Sequence, residues 1–76
     1  MQVIEFKGIV VSSEVKSGKK SDFSIINVSG MDIPFFGDSR KIAEDFQAGD
    51  KVRALFAVSE KNGYPNIQGL AVCIDE

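Results

Sequence analysis

The chain has 76 residues, 43% of them hydrophobic and 26% charged, a composition typical of one small globular domain over residues 1–76 and not of a disordered chain. It has no histidine and a single cysteine, which excludes a histidine base, a histidine-bearing zinc site and an intrachain disulfide. Nine basic and eleven acidic residues give a net charge of −2, which argues mildly against a nucleic-acid-binding protein of the usual basic kind. No apolar run approaches the roughly 20 residues of a membrane helix and no signal-peptide pattern is present, so we expect a cytoplasmic protein.

The first half of the chain predicts three β-strands. Val, Ile and Phe are dense over residues 2–13, and Gly8 inside this run indicates a bulge or a sharp bend. A polar loop is expected over residues 14–20, followed by an alternating strand over residues 21–28. A Ser-Gly pair then predicts a two-residue hairpin turn into a third strand over residues 31–36, whose proline indicates an edge or bulge position.

The hydrophobic period changes to a helical one after the third strand. Asp38 or Ser39 is suited to cap a helix N-terminus, and Gly49 is suited to end the helix. The helix would have about two to three turns and would need packing to persist. We expect it to cover one end of the sheet with Ile42 and Phe46.

Two further strands complete the predicted order. The fourth runs over residues 50–59 and the fifth over residues 64–74, with an Asn-Gly hairpin turn between them and a bulge expected at Gly69. Alternation in the fourth strand predicts one face of Val52, Ala54, Phe56 and Val58 and an opposite face of Lys51, Arg53, Leu55 and Ala57. Small all-β chains remove exposed sheet edges by closing the sheet, so this order favours a barrel.

This order resembles the oligonucleotide/oligosaccharide-binding (OB) fold, over essentially the whole chain. The resemblance is carried by AGDKV at residues 48–52 and by NGY at residues 62–64, followed by a closing apolar strand. It implies a five-stranded Greek-key barrel with a short helix between strands three and four. The small size and the lysine-bearing first loop are similar to those of small single-stranded-DNA-binding proteins of phages and plasmids.

The resemblance implies a binding face made by strands two and three and by the loops after strands one and four. Unpaired bases stack on aromatic rings and their phosphates follow cationic side chains. Because Phe35 and Phe36 are adjacent in a strand, their side chains point to opposite faces, and one of them is expected outside. The candidate nucleic-acid-binding residues are Lys16, Lys19, Lys20, Phe23, Phe35, Phe36, Lys51, Arg53, Lys61 and Tyr64.

Each of these residues also has a plainer interpretation. Aromatic residues in a small barrel are usually core, and lysines in a polar loop are usually only solvated. Tyr64, beside Pro65, is also suited to pack on its own turn. Outward aromatic residues would equally fit the interface of a homodimer.

The leading hypothesis is therefore a non-enzymatic protein that binds single-stranded DNA with little sequence specificity and coats strands in replication or recombination. The alternative is a small OB-type protein-interaction module of a replication or translation complex, which the net charge favours slightly. RNA binding of the cold-shock type is a third interpretation, and the sequence does not decide between DNA and RNA.

Catalysis has little support in the sequence. Glu44 and Asp45 diverge on the predicted helix, so they do not form an acid–base pair. Cys73 lies in an apolar strand with no basic neighbour, so we expect it to be a buried apolar residue and not a nucleophile. No calcium-loop spacing is present, and we expect neither a metal nor a cofactor.

Overall fold

One five-stranded antiparallel sheet forms the protein. A computed structural model describes residues 1–75, and Glu76 lies outside the described part. The strands are β1 (Gln2–Ser17), β2 (Asp22–Val28), β3 (Met31–Phe35), β4 (Lys51–Lys61) and β5 (Tyr64–Ile74). Their spatial order is β3-β2-β1-β4-β5, and every neighbouring pair is antiparallel. The predicted all-β class and the predicted order of strands are confirmed.

β1 is longer than predicted because its polar end pairs with β2. Residues 14–17, expected as a loop, continue the strand, with Glu14 opposite Ile25 and Ser17 opposite Asp22. Residues 2–9 of β1 pair with β4 and residues 10–17 pair with β2. A single strand therefore belongs to both halves of the sheet.

The register of β1 is irregular between Val10 and Ser12, so the bulge predicted at Gly8 is displaced along the strand. Gly8 has a different role, because a Cβ atom there would overlap the Ser29 hydroxyl at the β2–β3 turn. Ser29 is held to β1 by two hydrogen bonds, one from its own N–H to the Ile9 carbonyl and one from the Ile9 N–H to its hydroxyl. The glycine permits this close approach.

Both predicted hairpin turns are present. Ser29 and Gly30 have φ values of 51° and 97°, and Asn62 and Gly63 have values of 54° and 81°. Two successive residues with positive φ define the turn geometry that matches the twist of paired strands.

The short helical segment predicted between β3 and β4 is present, but it consists of two 3₁₀ turns, Gly37–Ser39 and Ile42–Asp45, and not of one helix of two to three turns. Neither turn has a side-chain cap, so the capping role predicted for Asp38 or Ser39 is wrong. These short turns are the only helical elements among residues 1–75, and neither is long and apolar enough to cross a membrane.

Hydrogen bonds tie this connection to the sheet. The Ser13 hydroxyl donates to the Ala43 carbonyl at 2.8 Å, an oxygen that also accepts from the Phe46 N–H at 3.4 Å. The buried Ser24 hydroxyl donates to the Arg40 carbonyl at 2.7 Å and accepts from the Ala43 N–H at 3.1 Å. Ile42 and Phe46 pack against the core as predicted.

The core lies on the concave side of the sheet. Its fully or almost fully buried side chains are Val10, Ile26, Val28, Ile33, Phe35, Ala43, Val52, Ala54 and Phe56. The inward alternation predicted for β4 is confirmed for Val52, Ala54 and Phe56, whereas Ala57, predicted to face outward, is only 4% exposed.

The two terminal strands of the sheet order, β3 and β5, approach each other at Phe35 and Gly69. The Phe35 ring lies so close to Gly69 that a Cβ atom there would overlap it. Within residues 1–75, however, no backbone pairing joins β3 to β5. The sheet is therefore curled, but it is not closed by hydrogen bonds along this seam, so the predicted closed barrel is not confirmed.

We predict that Gly69→Ala destabilises the fold by about 1–3 kcal/mol, because the added methyl group collides with the buried Phe35 ring. Urea unfolding followed by circular dichroism measures this loss. Combining it with Phe35→Leu should cost less than the sum of the two single changes, since the smaller side chain makes room. Gln68→Ala, at an exposed position on the same strand, is the control, and equal stability of Gly69→Ala and the control would contradict this packing.

We predict that Ser24→Ala lowers the free energy of unfolding by about 1–3 kcal/mol, because the Ala43 N–H and the Arg40 carbonyl lose their partner in a buried site. Ser21→Ala removes a hydroxyl from an exposed position nearby and should change stability by less than about 0.5 kcal/mol. Matching losses in the two variants, measured by urea unfolding, would show that the Ser24 hydroxyl does not hold the connection.

Candidate nucleic-acid interface

Two phenylalanine rings stack on the convex side of the sheet. Phe23, near the start of β2, and Phe36, immediately after β3, have ring centroids 5.5 Å apart and ring planes inclined by 28°. Phe36 is 50% exposed and Phe23 is partly buried. We call Phe23 and Phe36 the ring pair.

Strand alternation accounts for the ring pair. Ser24 and Phe35 are register partners and both are completely buried, so the residues flanking them along the chain point outward. Two of those flanking residues are Phe23 and Phe36. The sequence predicted that one of the two adjacent phenylalanines would face out, and the structure shows that it is Phe36. Phe35 has no exposed surface to offer a base and leaves the candidate set.

Lys16 lies beside the ring pair. It is the register partner of Phe23 across β1 and β2, so the two side chains share the outer face. Its ammonium group is 3.5 Å from the Glu14 carboxylate, and both side chains are well exposed. An ion pair this exposed is weak and is easily exchanged for another anion. Lys19 and Lys20 follow in the exposed loop between β1 and β2.

The outer surface of residues 10–17 of β1 with β2 and β3, including Phe36, is called the β2–β3 face. Next to the row of Lys16 and Phe23 lies a second row, in which Ile25 pairs with Glu14 on one side and Pro34 on the other. The sequence analysis did not select Ile25 or Pro34 as site residues, although alternation from Phe23 places Ile25 on the same face.

A third row of the β2–β3 face is polar. Asn27 pairs with Asp32, and its side-chain amide donates to the Asp32 carboxylate at 2.8 Å. The Asn27 side-chain oxygen in turn accepts from the Gly30 N–H at 2.8 Å, which ties the row to the β2–β3 turn. The face therefore changes from aromatic and cationic at the β1–β2 loop to amide and carboxylate at the opposite end.

Lys51 and Arg53 lie on the other half of the sheet. Arg53 pairs with Lys7 on β1 and with Cys73 on β5, and Lys51 pairs with Ile9. The pKa of Arg53 is raised, first by a side-chain hydrogen bond and charge interaction with Cys73 and then by the nearby Glu5 and Asp75 carboxylates. These two candidate cations are not brought onto the β2–β3 face.

Cys73 differs from its prediction. It is exposed, and its sulfur lies 3.9 Å from the Arg53 carbonyl oxygen, so the expectation of a buried cysteine without a basic neighbour is wrong. The reason is that β5 is an edge strand whose residue 73 points to the convex side, where only exposed side chains surround it.

Lys61 and Tyr64 flank the β4–β5 hairpin turn and are register partners. Tyr64 is 74% exposed, so its ring does not pack into the turn in the way the plainer interpretation expected. The hairpin therefore presents one aromatic ring and one cation to solvent, separate in sequence and in sheet position from the ring pair.

The described residues contain no group of three or more histidine, cysteine, aspartate or glutamate side chains placed to hold a metal ion. Comparisons of the chain with known protein families, with curated proteins and with solved structures found no match. The functional argument therefore depends on the geometry of the surface itself.

Proposed function

We propose that the curled sheet is an OB-type fold that binds single-stranded nucleic acid, with DNA as the first ligand to test, on the β2–β3 face. The observation that carries this proposal is the stacked ring pair, with Phe36 50% exposed and Phe23 in register with Lys16. The approach of β3 to β5 at Gly69 supports the barrel-like curvature of such a fold.

The mechanism needs only stacking and charge. An unpaired base lies on the exposed surface of Phe36, while Phe23 supports that ring from behind at 5.5 Å. Stacking of this kind contributes about 1–3 kcal/mol per base and tolerates any base, because every base has a flat π surface. Lys16, Lys19 and Lys20 then lie where they can follow the phosphates leaving the stacked base.

The carboxylates on this face limit the affinity. Glu14 sits beside Lys16 and Asp32 lies in the polar row, so both would repel a phosphate backbone that followed the strands. The path along the ring pair and the β1–β2 loop avoids Asp32. Binding is therefore expected to be modest and dependent on salt, as suits a protein that coats strands transiently in replication or recombination.

Replacing Phe36 with alanine should weaken binding to oligo-dT by about 5- to 150-fold, the equivalent of losing one stacked base. The fold should persist, because half of this side chain is already exposed. Phe36→Trp should restore binding, since indole also stacks. Fluorescence anisotropy with labelled oligo-dT at low salt measures the affinity, and circular dichroism verifies folding.

The matched control is Gln47→Ala, a truncation at an exposed position in the β3–β4 connection, which should leave affinity unchanged. Wild-type affinity in Phe36→Ala would remove the ring pair from the binding site. Failure of the wild-type protein to bind DNA or RNA at low salt would favour the protein-interaction alternative.

The logarithm of the binding constant should fall with the logarithm of salt concentration with a slope of about −0.7 for each phosphate contact. Changing Lys16, Lys19 and Lys20 together to glutamine should make the slope shallower by about 2 if all three contact phosphates. Lys41→Gln, in the exposed β3–β4 connection, should not change it. An unchanged slope in the triple variant would show that the phosphates do not contact these three lysines.

A further inference from the structure

The convex surface of the other half of the sheet exposes apolar side chains. We call this surface, made by residues 2–9 of β1 with β4 and β5, the β4–β5 face. Val3 is 58% exposed, Ile9 is 47% exposed and Leu55 is 36% exposed. A shallow pocket of about 190 Å³ lies at its centre, lined by Glu5, Arg53, Leu55, Ala71, Val72 and Cys73. Val3 and Ile9 lie at opposite ends of residues 2–9, with the exposed charged residues Glu5 and Lys7 between them, so the face mixes apolar and charged side chains.

Register orders the side chains of this face into rows across the three strands. One row consists of Glu5, Leu55 and Ala71, and the next consists of Lys7, Arg53 and Cys73. Between them lies the row of Phe6, Ala54 and Val72, whose side chains point to the core. A row with one carboxylate and a row with two cations therefore flank one line that crosses the strands.

The β1 part of this arrangement is self-complementary in charge. A two-fold axis lying along that central line would exchange the two flanking rows. It would bring Glu5 of one copy against Lys7 of another, and the same contact would occur a second time by symmetry. On β4 the same axis would place Arg53 opposite Leu55, beside Glu5 of the other copy. One outward row farther from the axis, it would bring Val3 against Ile9.

We propose that the β4–β5 face binds a second copy of this chain, related by a two-fold axis across the strands above Phe6, Ala54 and Val72. The choice of a second copy rests on Glu5 and Lys7: the one carboxylate of the two rows meets a cation of its own rotated image, twice by symmetry. The face lies on the half of the sheet that does not carry the ring pair, so this proposal does not depend on nucleic-acid binding.

The area that a stable dimer must bury is large relative to the surface of this small protein. A stable interface buries about 800 Å² on each partner, and the whole accessible surface is 5190 Å². A second copy must therefore cover most of the three-stranded face and not only the central pocket. The strands of two sheets packed face to face cross at about 30°. The side chains at the ends of the rows would therefore be offset from their partners more than those near the axis.

Reversing the charges of Glu5 and Lys7 tests the proposed position of the two-fold axis. Wild-type protein without nucleic acid should sediment as a dimer in analytical ultracentrifugation. Glu5→Lys alone and Lys7→Glu alone should each raise the dimer dissociation constant by at least about tenfold, since each creates two like-charge contacts. The double variant Glu5→Lys/Lys7→Glu should dimerise again, because the exchanged charges still face each other. Lys41→Glu, outside the face, should remain dimeric.

Three outcomes would overturn the proposal. A monomeric wild-type protein would show that the face is unoccupied by a second copy. Single reversals that leave the dimer intact would place the interface on another surface. A double variant that stays monomeric, while circular dichroism shows it folded, would rule out the proposed pairing of Glu5 with Lys7.

A disulfide test is independent of charge. The axis places position 71 of one copy against Cys73 of the other. Under mild oxidation, neither the wild-type protein nor Ala71→Cys/Cys73→Ser should cross-link by itself, because each thiol faces a residue without one. An equimolar mixture of the two proteins should give a covalent heterodimer. Cross-linking of the wild-type protein alone, or none in the mixture, would contradict this axis.

Discussion

The position of Phe35 determines how the rest of the surface is arranged. Its ring fills the seam between β3 and β5, against a glycine that leaves no Cβ atom in the way. In an extended chain the next side chain must point to the opposite face, so burying Phe35 exposes Phe36. Phe23 reaches the same surface because its neighbour Ser24 is buried opposite Phe35. One core contact thereby produces an exposed aromatic pair.

The long first strand divides the convex surface into two parts with different chemistry. Its second half carries Lys16 beside the ring pair, and its first half carries Glu5 and Lys7 beside β4. The strand that each lysine or arginine occupies therefore decides on which of the two faces it lies. The β2–β3 face has rings and nearby lysines suited to unpaired bases, while the β4–β5 face has exposed apolar side chains and charges of both signs. Binding and self-association would then use separate surfaces.

Much of the fold could be predicted from local patterns, because alternation and two-residue turns are local properties of the chain. The five strands, both hairpin turns and the inward set of Val52, Ala54 and Phe56 follow from them. What could not be predicted depends on partners distant in sequence. β1 continues through polar residues because β2 pairs with them, and the β3–β4 connection is held to the sheet by two serines that bind its backbone. Adjacency of Phe35 and Phe36 predicted one outward ring, but only the packing at Gly69 decides which ring it is.

The central claim is that the ring pair is the surface on which unpaired bases stack. Its most direct test is nuclear magnetic resonance of the folded protein during titration with oligo-dT at low salt. Ring-current shifts should appear at the ring protons of Phe23 and Phe36 and at the Lys16 side chain, while the buried rings of Phe35 and Phe56 and the side chains around Leu55 stay unchanged. Shifts confined to the β4–β5 face, or no shifts on saturation with the oligonucleotide, would contradict the account.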